Sequence, residues 1–218
     1  MTTVCMVLHA EGPGDLGSPA RQVPPGESLM LDEQGPVHIL VRRILAEGAQ
    51  IPENAIDFRE PLRTQTGVRA YGSKLLDTQI LDEILAGWLL SEPIVVFLID
   101  ADDSSPQERK DLLVSALSRN DLTGAVGVAV KEFEAWLIAD PAALKTVLEA
   151  SQNSPSKPED LEPGKAKQLL SSWSGNSPNR DPLDLRKELV SIMDLDKVSA
   201  QCSSFKEFRA ELSSLQFS

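Results

Sequence analysis

Apolar positions along the chain fall into two kinds of pattern. Four short runs are apolar almost throughout: residues 4–8, 55–58 (the weakest), 94–99 and 125–130. An unbroken apolar run suits a strand covered on both faces, whereas a half-solvated strand alternates. Between the runs lie helical stripes. Val37, Leu40, Val41, Ile44 and Leu45 recur at i, i+3, i+4, i+7 and i+8, and so do Leu81, Ile84, Leu85, Trp88 and Leu89. Leu112, Leu113, Ala116 and Leu117 make a third stripe. Strands alternating with helices predict βαβ units, a mainly parallel sheet and helices on both faces.

Beyond Asp140 only helical stripes remain. Ala166, Leu169, Leu170 and Trp173 share one face, Leu185, Leu189 and Met193 another, and Phe205, Phe208, Leu212 and Leu215 the last. The expected organisation is an α/β domain over residues 1–140 with a helical C-terminal extension, 141–218, packed on it. Residues 12–35, 151–163 and 174–182 are rich in Pro, Gly and Ser and read as loops. A loop as long as 12–35 in a compact domain is either mobile or functional.

Composition narrows the class. No stretch is long and apolar enough to span a bilayer. The run at 4–8 has no basic segment before it and no cleavage-type sequence after it, so it reads as a strand and not as a signal peptide. Cys5 and Cys202 lie near opposite ends of the chain, which suits neither a disulfide scaffold nor a zinc site. A reducing, cytoplasmic setting is therefore expected. The net charge of −12 argues against a protein that holds nucleic acid by its overall field. It leaves a nuclease open, because bound cations or a basic partner can supply the missing positive charge.

The candidate chemistry lies where the acids fall. The first run leads to Glu11, Gly12 and then Asp15; the third leads to Asp100, Ala101, Asp102 and Asp103; the fourth leads to Lys131, Glu132, Phe133 and Glu134. In a parallel sheet all strand carboxyl ends lie on one edge, where ligands bind. Carboxylates crowded there repel, and each ionised group raises its neighbours' pKa. A hard divalent cation, Mg²⁺ or Mn²⁺, relieves that repulsion. In extended backbone Asp100 and Asp102 point the same way. Asp103 either points elsewhere or caps the helix starting near Pro106. Glu132 and Glu134 share a side if the strand persists; if a helix begins near Phe133, Glu134 sits in its first turn.

Each element alone has a plainer explanation. A strand ending in Asp is often only a turn or cap, Glu11-Gly12 alone is a turn, and Glu134 alone is a helix N-terminal charge. The coincidence of three acidic tips is what points to a metal site. Lys131 either stabilises phosphate charge or is simply solvated. Arg109 and Lys110, after the aspartates, either reach a phosphate or, the better reading, are solvated on a helix surface. His9 and His38 are scattered, and neither has a Ser or Cys partner that would make a hydrolase triad. Gly12-Pro13-Gly14 lacks the Gly-Lys-Ser/Thr of a phosphate loop.

These residues resemble a known family. Glu11-Gly12-Pro13-Gly14-Asp15 after a strand resembles the first Toprim motif, and Asp100-Ala101-Asp102 resembles the Toprim Asp-x-Asp motif. Glu132-Phe133-Glu134-Ala135-Trp136-Leu137-Ile138-Ala139-Asp140 resembles the strand, Glu-Ala-Trp, apolar helix and Asp of a bacterial family of small Toprim-like proteins. Cys202-Ser203-Ser204-Phe205 with Phe208 is similar to that family's ending, so the likeness extends over most of the chain. It implies a Toprim-like fold related to the Toprim domains of OLD-type nucleases. It also implies Mg²⁺ or Mn²⁺ held by Glu11, Asp100 and Asp102, with Glu134 or Glu132 as a late acid. An ABC- or SMC-like ATPase partner and a role in defence against phage or plasmids are implied as well. The long insertion after Gly12 and the small basic complement depart from the family pattern.

The expected activity is metal-dependent phosphodiester hydrolysis, with Glu11, Asp100, Asp102, Glu134 and Lys131 as candidate catalytic residues. Glu11, Asp100, Asp102, Glu132 and Glu134 are the candidate metal ligands. Nucleic acid is the expected substrate, weakly bound by the chain alone. The rival reading is a non-catalytic module that regulates a partner ATPase. A primase-like transferase ranks lower, since no polymerase or zinc module accompanies the fold.

Overall fold

Four strands form one parallel sheet in the order β2-β1-β3-β4 in the computed structural model, which describes residues 3–17, 23–88, 93–149, 152–174 and 181–217. The strands are β1 (Val4–Ala10), β2 (Ile56–Arg59), β3 (Ile94–Asp100) and β4 (Gly124–Ala129). All three pairings are parallel. The sheet is buried on both faces, as the unbroken apolar runs predict. Met6, Leu8, Val96, Leu98 and Ala125 belong to one core, and Val7, Val95, Phe97, Ile99 and Val126 to the other. The alternation follows from the pleat, which sends successive side chains to opposite faces.

Helices fill both sides. The second core is closed by α3 (Thr78–Ala86) and α4 (Pro106–Arg119), and the first by α2 (Pro36–Gly48) and the helices that follow β4. Those are α5 (Glu134–Leu137), α6 (Pro141–Leu148), α7 (Lys165–Ser174), α8 (Pro182–Ile192), α9 (Leu195–Gln201) and α10 (Ser203–Ser213). Leu185, Leu189, Val198, Phe205, Phe208 and Leu212 join the same core as the strands. Trp136 is its aromatic centre. It meets Phe205 edge-on at 5.2 Å and stacks on Phe208 at 5.9 Å. Helix α10 reaches the sheet because Gly127 has no side chain: a Cβ there would lie 2.8 Å from the Phe208 ring and from Leu98. Leu89 of the second stripe lies outside the described residues.

The segment 12–35 is more ordered than a loop reading implies. It opens with the short helix α1 (Pro13–Leu16) and closes with a 3-10 turn at Leu31–Glu33; residues 18–22 fall outside the described set. Residues 26–29 run along the outer edge of β2. The Leu29 N–H donates to the Phe58 carbonyl at 2.7 Å, the Glu60 N–H to the Glu27 carbonyl at 2.8 Å, and Ser28 bridges antiparallel to Arg59. These bonds satisfy edge groups that would otherwise be open to pairing with another chain. The segment 151–163 likewise contains a 3-10 turn, Pro158–Asp160. Its buried Glu159 accepts from the Ser203 and Ser204 N–H groups at the start of α10. Residues 151 and 175–180, in the other Pro- and Ser-rich stretches, lie outside the described residues. No helix among the described residues is long and apolar enough to cross a membrane.

Candidate functional site

The chain leaves β1 toward β2 on one side and β3 lies on the other, so the sheet's topological switch point falls between β1 and β3. In open parallel sheets this crevice is where ligands sit. Glu11 follows β1 directly, its N–H donating to the Leu98 carbonyl at 3.2 Å, and Asp100 is the last residue of β3. The two acids thus flank the switch point.

Asp100 is the centre of the site. It is 6% exposed, and its Oδ1 accepts a 2.8 Å hydrogen bond from the Phe133 N–H. Burial, and then the neighbouring charges of Glu134, Asp15 and Glu11, raise its pKa from 3.8 to about 8, against the lowering effect of the Phe133 bond. Glu11 is also pushed up, by burial and then by Asp102. Its carboxylate faces Gly72, where an added Cβ would lie 3.0 Å from Oε1; the positive φ of 53° there also favours glycine.

Asp15 enters through α1. The Gly12 N–H donates to Asp15 Oδ2 at 3.0 Å, and this turn directs the carboxylate toward the strand tips. Burial raises its pKa, opposed chiefly by Arg186. Glu134, 3% exposed, is the first residue of α5. Arg186 of α8 bridges the two: Nη1 lies 3.0 Å from Asp15 Oδ1, and Nη2 pairs with Glu134 Oε1. Lys167 of α7 adds its ammonium 4.0 Å from Glu134.

The structure thus gathers Glu11, Asp100 and Glu134, three of the acids picked out by position, and adds Asp15. Asp102 stays close enough to raise Glu11, but its side chain and that of Glu132 are held by other partners. Strand β3 stops at Asp100, and Asp102 sits in a turn with φ of 48°, so the two aspartates do not share a side. The Asp102 side chain is 59% exposed and pairs with Arg109 at 3.4 Å. Glu132 and Glu134 diverge because β4 ends at Ala129 and a helix begins at Glu134. Glu132 Oε1 accepts from the Lys167 N–H at 2.9 Å and so anchors the start of α7. Lys131 lies 3.7 Å from Asp103, and the cap of α4 is Ser105, not Asp103. Arg109 is no solvated surface residue: its guanidinium also donates to the Asp100 carbonyl and to Ser104. Lys110 pairs with Glu211 at 2.7 Å.

Both histidines are buried and held neutral. Burial lowers each to about 3. His9 stacks on Phe97, and His38 accepts from the Gly35 N–H while meeting Phe58 edge-on. Asp140 caps α6 and accepts from the Asp194 N–H at 2.9 Å, a joint between helices. Arg186 and Lys167 had no signal in the sequence, because a cation on a helix surface does not announce what it will meet.

The donor set fits a hard divalent ion in kind, since it consists of clustered carboxylate oxygens. Among the described residues no three His, Cys, Asp or Glu side chains form a ready-made ion-binding group. Arg186 supplies the positive charge between Asp15 and Glu134 instead.

Fold and site together define a parallel α/β protein with a buried acidic cluster at its switch point. Residues 33–213 match the family described as "Domain of unknown function (DUF4276)", and the chain belongs to that family. The matched stretch contains Asp100, Glu134 and Arg186; Glu11 and Asp15 precede it. No curated protein and no solved structure matches the chain.

Proposed function

We propose that this protein is a Mg²⁺- or Mn²⁺-dependent phosphodiester hydrolase of Toprim type, a nuclease or nuclease-like effector. The observation that carries the reading is the crowding around Asp100: a buried carboxylate at the switch point, raised to about 8 by burial and by Glu134, Asp15 and Glu11. Such crowding is relieved by a proton on Asp100 or, with all the acids ionised, by a divalent ion. Glu11, Asp15, Asp100 and Glu134 would hold the ion. When bound, it supplies Lewis-acid polarisation of the phosphate and a more acidic water. Asp100 would have to be ionised to serve as a ligand. Phe133 N–H fixes the orientation of that carboxylate, and Asp102 with Arg109 forms the exposed rim.

The proposed setting is the cytoplasm, in keeping with two free cysteines, in defence against phage or plasmids. A net charge of −12 makes bare nucleic acid a poor ligand, so an ABC- or SMC-like ATPase is the proposed partner that presents the substrate. A second reading has its own support. Arg186 already neutralises Asp15 and Glu134, and Asp102 faces outward, which suits a non-catalytic module that regulates such an ATPase.

Cleavage assays on DNA and RNA, with metal or chelator and with or without the ATPase, separate the two. The nuclease reading expects metal-dependent cutting that Asp100→Ala abolishes. Undiminished cutting by Asp100→Ala, or full activity in chelator, would sink it. Silence under every condition, with ATPase turnover altered by the protein, favours the regulatory module.

A further inference from the structure

Strand β4 is the edge of the sheet opposite β2. Its register with β3 fixes which backbone groups face outward. The Thr123 carbonyl accepts from the Val95 N–H at 3.0 Å and the Ala129 carbonyl from the Ala101 N–H at 2.8 Å, so alternate residues from 123 to 129 bond to β3. The N–H and C=O of Val126 and Val128, and the N–H of Val130, therefore point away from the sheet. Glu211 of α10 accepts from the Val126 N–H at 2.9 Å, and the Val130 carbonyl is taken by the Glu132 N–H at 3.0 Å. Among the described residues no group bonds the Val126 carbonyl, either backbone group of Val128 or the Val130 N–H. The opposite edge differs, because residues 26–29 of the chain itself meet β2 there.

A cavity of about 290 Å³ lies along this open edge. Val126, Val128 and Val130 line it, together with residues from the starts of α4 and α10. Val128 is 6% exposed, and unbonded backbone groups on a residue so little open to solvent are uncommon. The charged residues of the lining are Lys110 and Glu207. Lys110 is neutralised by Glu211 at 2.7 Å, whereas Glu207 is exposed and has no ion-pair partner among the described residues.

We propose that the β4 edge docks an extended segment of a partner protein that carries lysine or arginine, paired strand to strand with residues 126–130. In such an arrangement main-chain hydrogen bonds supply affinity and alternate side chains supply specificity. The open groups run from the Val126 carbonyl to the Val130 N–H, a span of about 13 Å at roughly 3.3 Å per residue, which suits a segment of about four residues. The occupant is basic because the unpaired charge of the lining is Glu207 and the whole chain carries −12. An acidic strand, a nucleic acid or a second copy of this chain meets like charge there. The proposal is independent of what the strand-tip acids bind.

The test is NMR on the nitrogen-15-labelled full chain, titrated with an end-blocked pentapeptide of alternating lysine and valine. The Val128 and Val130 amide signals should shift, and their hydrogen exchange should slow at least about tenfold at saturation. The same peptide N-methylated at every amide should not bind, since it keeps its charges and valines but cannot pair. Glu207→Lys should weaken the lysine peptide about fivefold and favour a glutamate–valine counterpart. Val128→Pro removes an outward N–H, a change that edge strands tolerate, and should abolish binding. Melting curves check that both variants fold, and Glu207→Lys carries the test if Val128→Pro does not. No binding at millimolar peptide, equal binding of the N-methylated peptide, or equal binding of the lysine and glutamate peptides overturns the proposal. Shifts at Glu11 and Asp15 in place of Val128 and Val130 overturn it as well, because charge alone then draws the peptide. A dimer that Val128→Pro dissolves does the same, since the occupant is then a second copy.

Discussion

Arg186 Nη1 lies 3.0 Å from Asp15 Oδ1, although the two residues are 171 positions apart in the chain. Asp15 sits on the first turn after β1, and Arg186 on a helix that follows the whole sheet. The pair fastens α8 over the mouth of the acidic cluster. It also gives that cluster its own positive charge.

Asp100 should leave a signature in the pH dependence of stability. Its folded pKa, about 8, lies above its ordinary 3.8, so the native state holds a proton that the unfolded chain releases. Stability from this group is fully present below about 4 and is lost as pH rises toward 8. Asp100→Asn keeps an oxygen for the Phe133 N–H and removes the titration. Melts in chelator at pH 5 and pH 8 should show the unaltered protein losing on the order of a few kcal/mol relative to the variant. Parallel pH profiles would show that Asp100 is not protonated in the fold.

Glu132 and Glu134, two positions apart, should behave differently. Glu132 anchors the start of α7, so Glu132→Ala should cost about 1 kcal/mol, as for the loss of a helix cap, and leave Mn²⁺ affinity unchanged. Glu134→Gln should weaken Mn²⁺ binding at least tenfold. Urea unfolding and Mn²⁺ titration of both variants decide it, and equal loss of Mn²⁺ affinity would return Glu132 to the site.

The contact between α10 and β4 should be sensitive from both sides. Phe208 is 1% exposed against Trp136, so Phe208→Ala should cost about 3–5 kcal/mol by leaving a cavity. Gly127→Ala pushes a methyl into the same ring and should cost about 1–3 kcal/mol by overpacking. Chemical denaturation measures both. A neutral Gly127→Ala would mean that the helix shifts freely on the strand.

His38 should contribute to acid sensitivity. Its folded pKa is about 3, below the ordinary 6.5, so the unfolded chain takes up the proton first. Stability held by the neutral ring is present above 6.5 and is lost as pH falls toward 3. His38→Gln should be less stable than the unaltered protein at pH 7. The gap should narrow by about 1.4 kcal/mol per pH unit below 6.5. A gap that stays constant from pH 7 to pH 5 would show that the ring titrates normally.

Much of the fold was readable because its signals are local. Residues 94–99 are apolar at every position because both faces of β3 are covered, and Val37 to Leu45 carry a helical stripe because one side of α2 meets the sheet. Parallel connection then puts Glu11 and Asp100 on one edge, a consequence of topology that needs no side-chain detail. The segment 12–35 was harder to read. Its pairing with β2 uses backbone groups, and these leave no apolar period behind.

The sequence by itself determined the sheet, the helices and the edge on which the acids gather, since hydrophobic period and strand direction reside in neighbouring residues. Tertiary structure alone decided which acids share the site. A left-handed turn swings Asp102 outward, α7 draws Glu132 away, and α1 brings Asp15 in. It also decided that Arg186 and Lys167 face those acids. Which side of α7 and α8 lies over the strand tips depends on how those helices pack against α5 and each other. That packing sums weak contacts between residues far apart in the chain, and no local pattern encodes it.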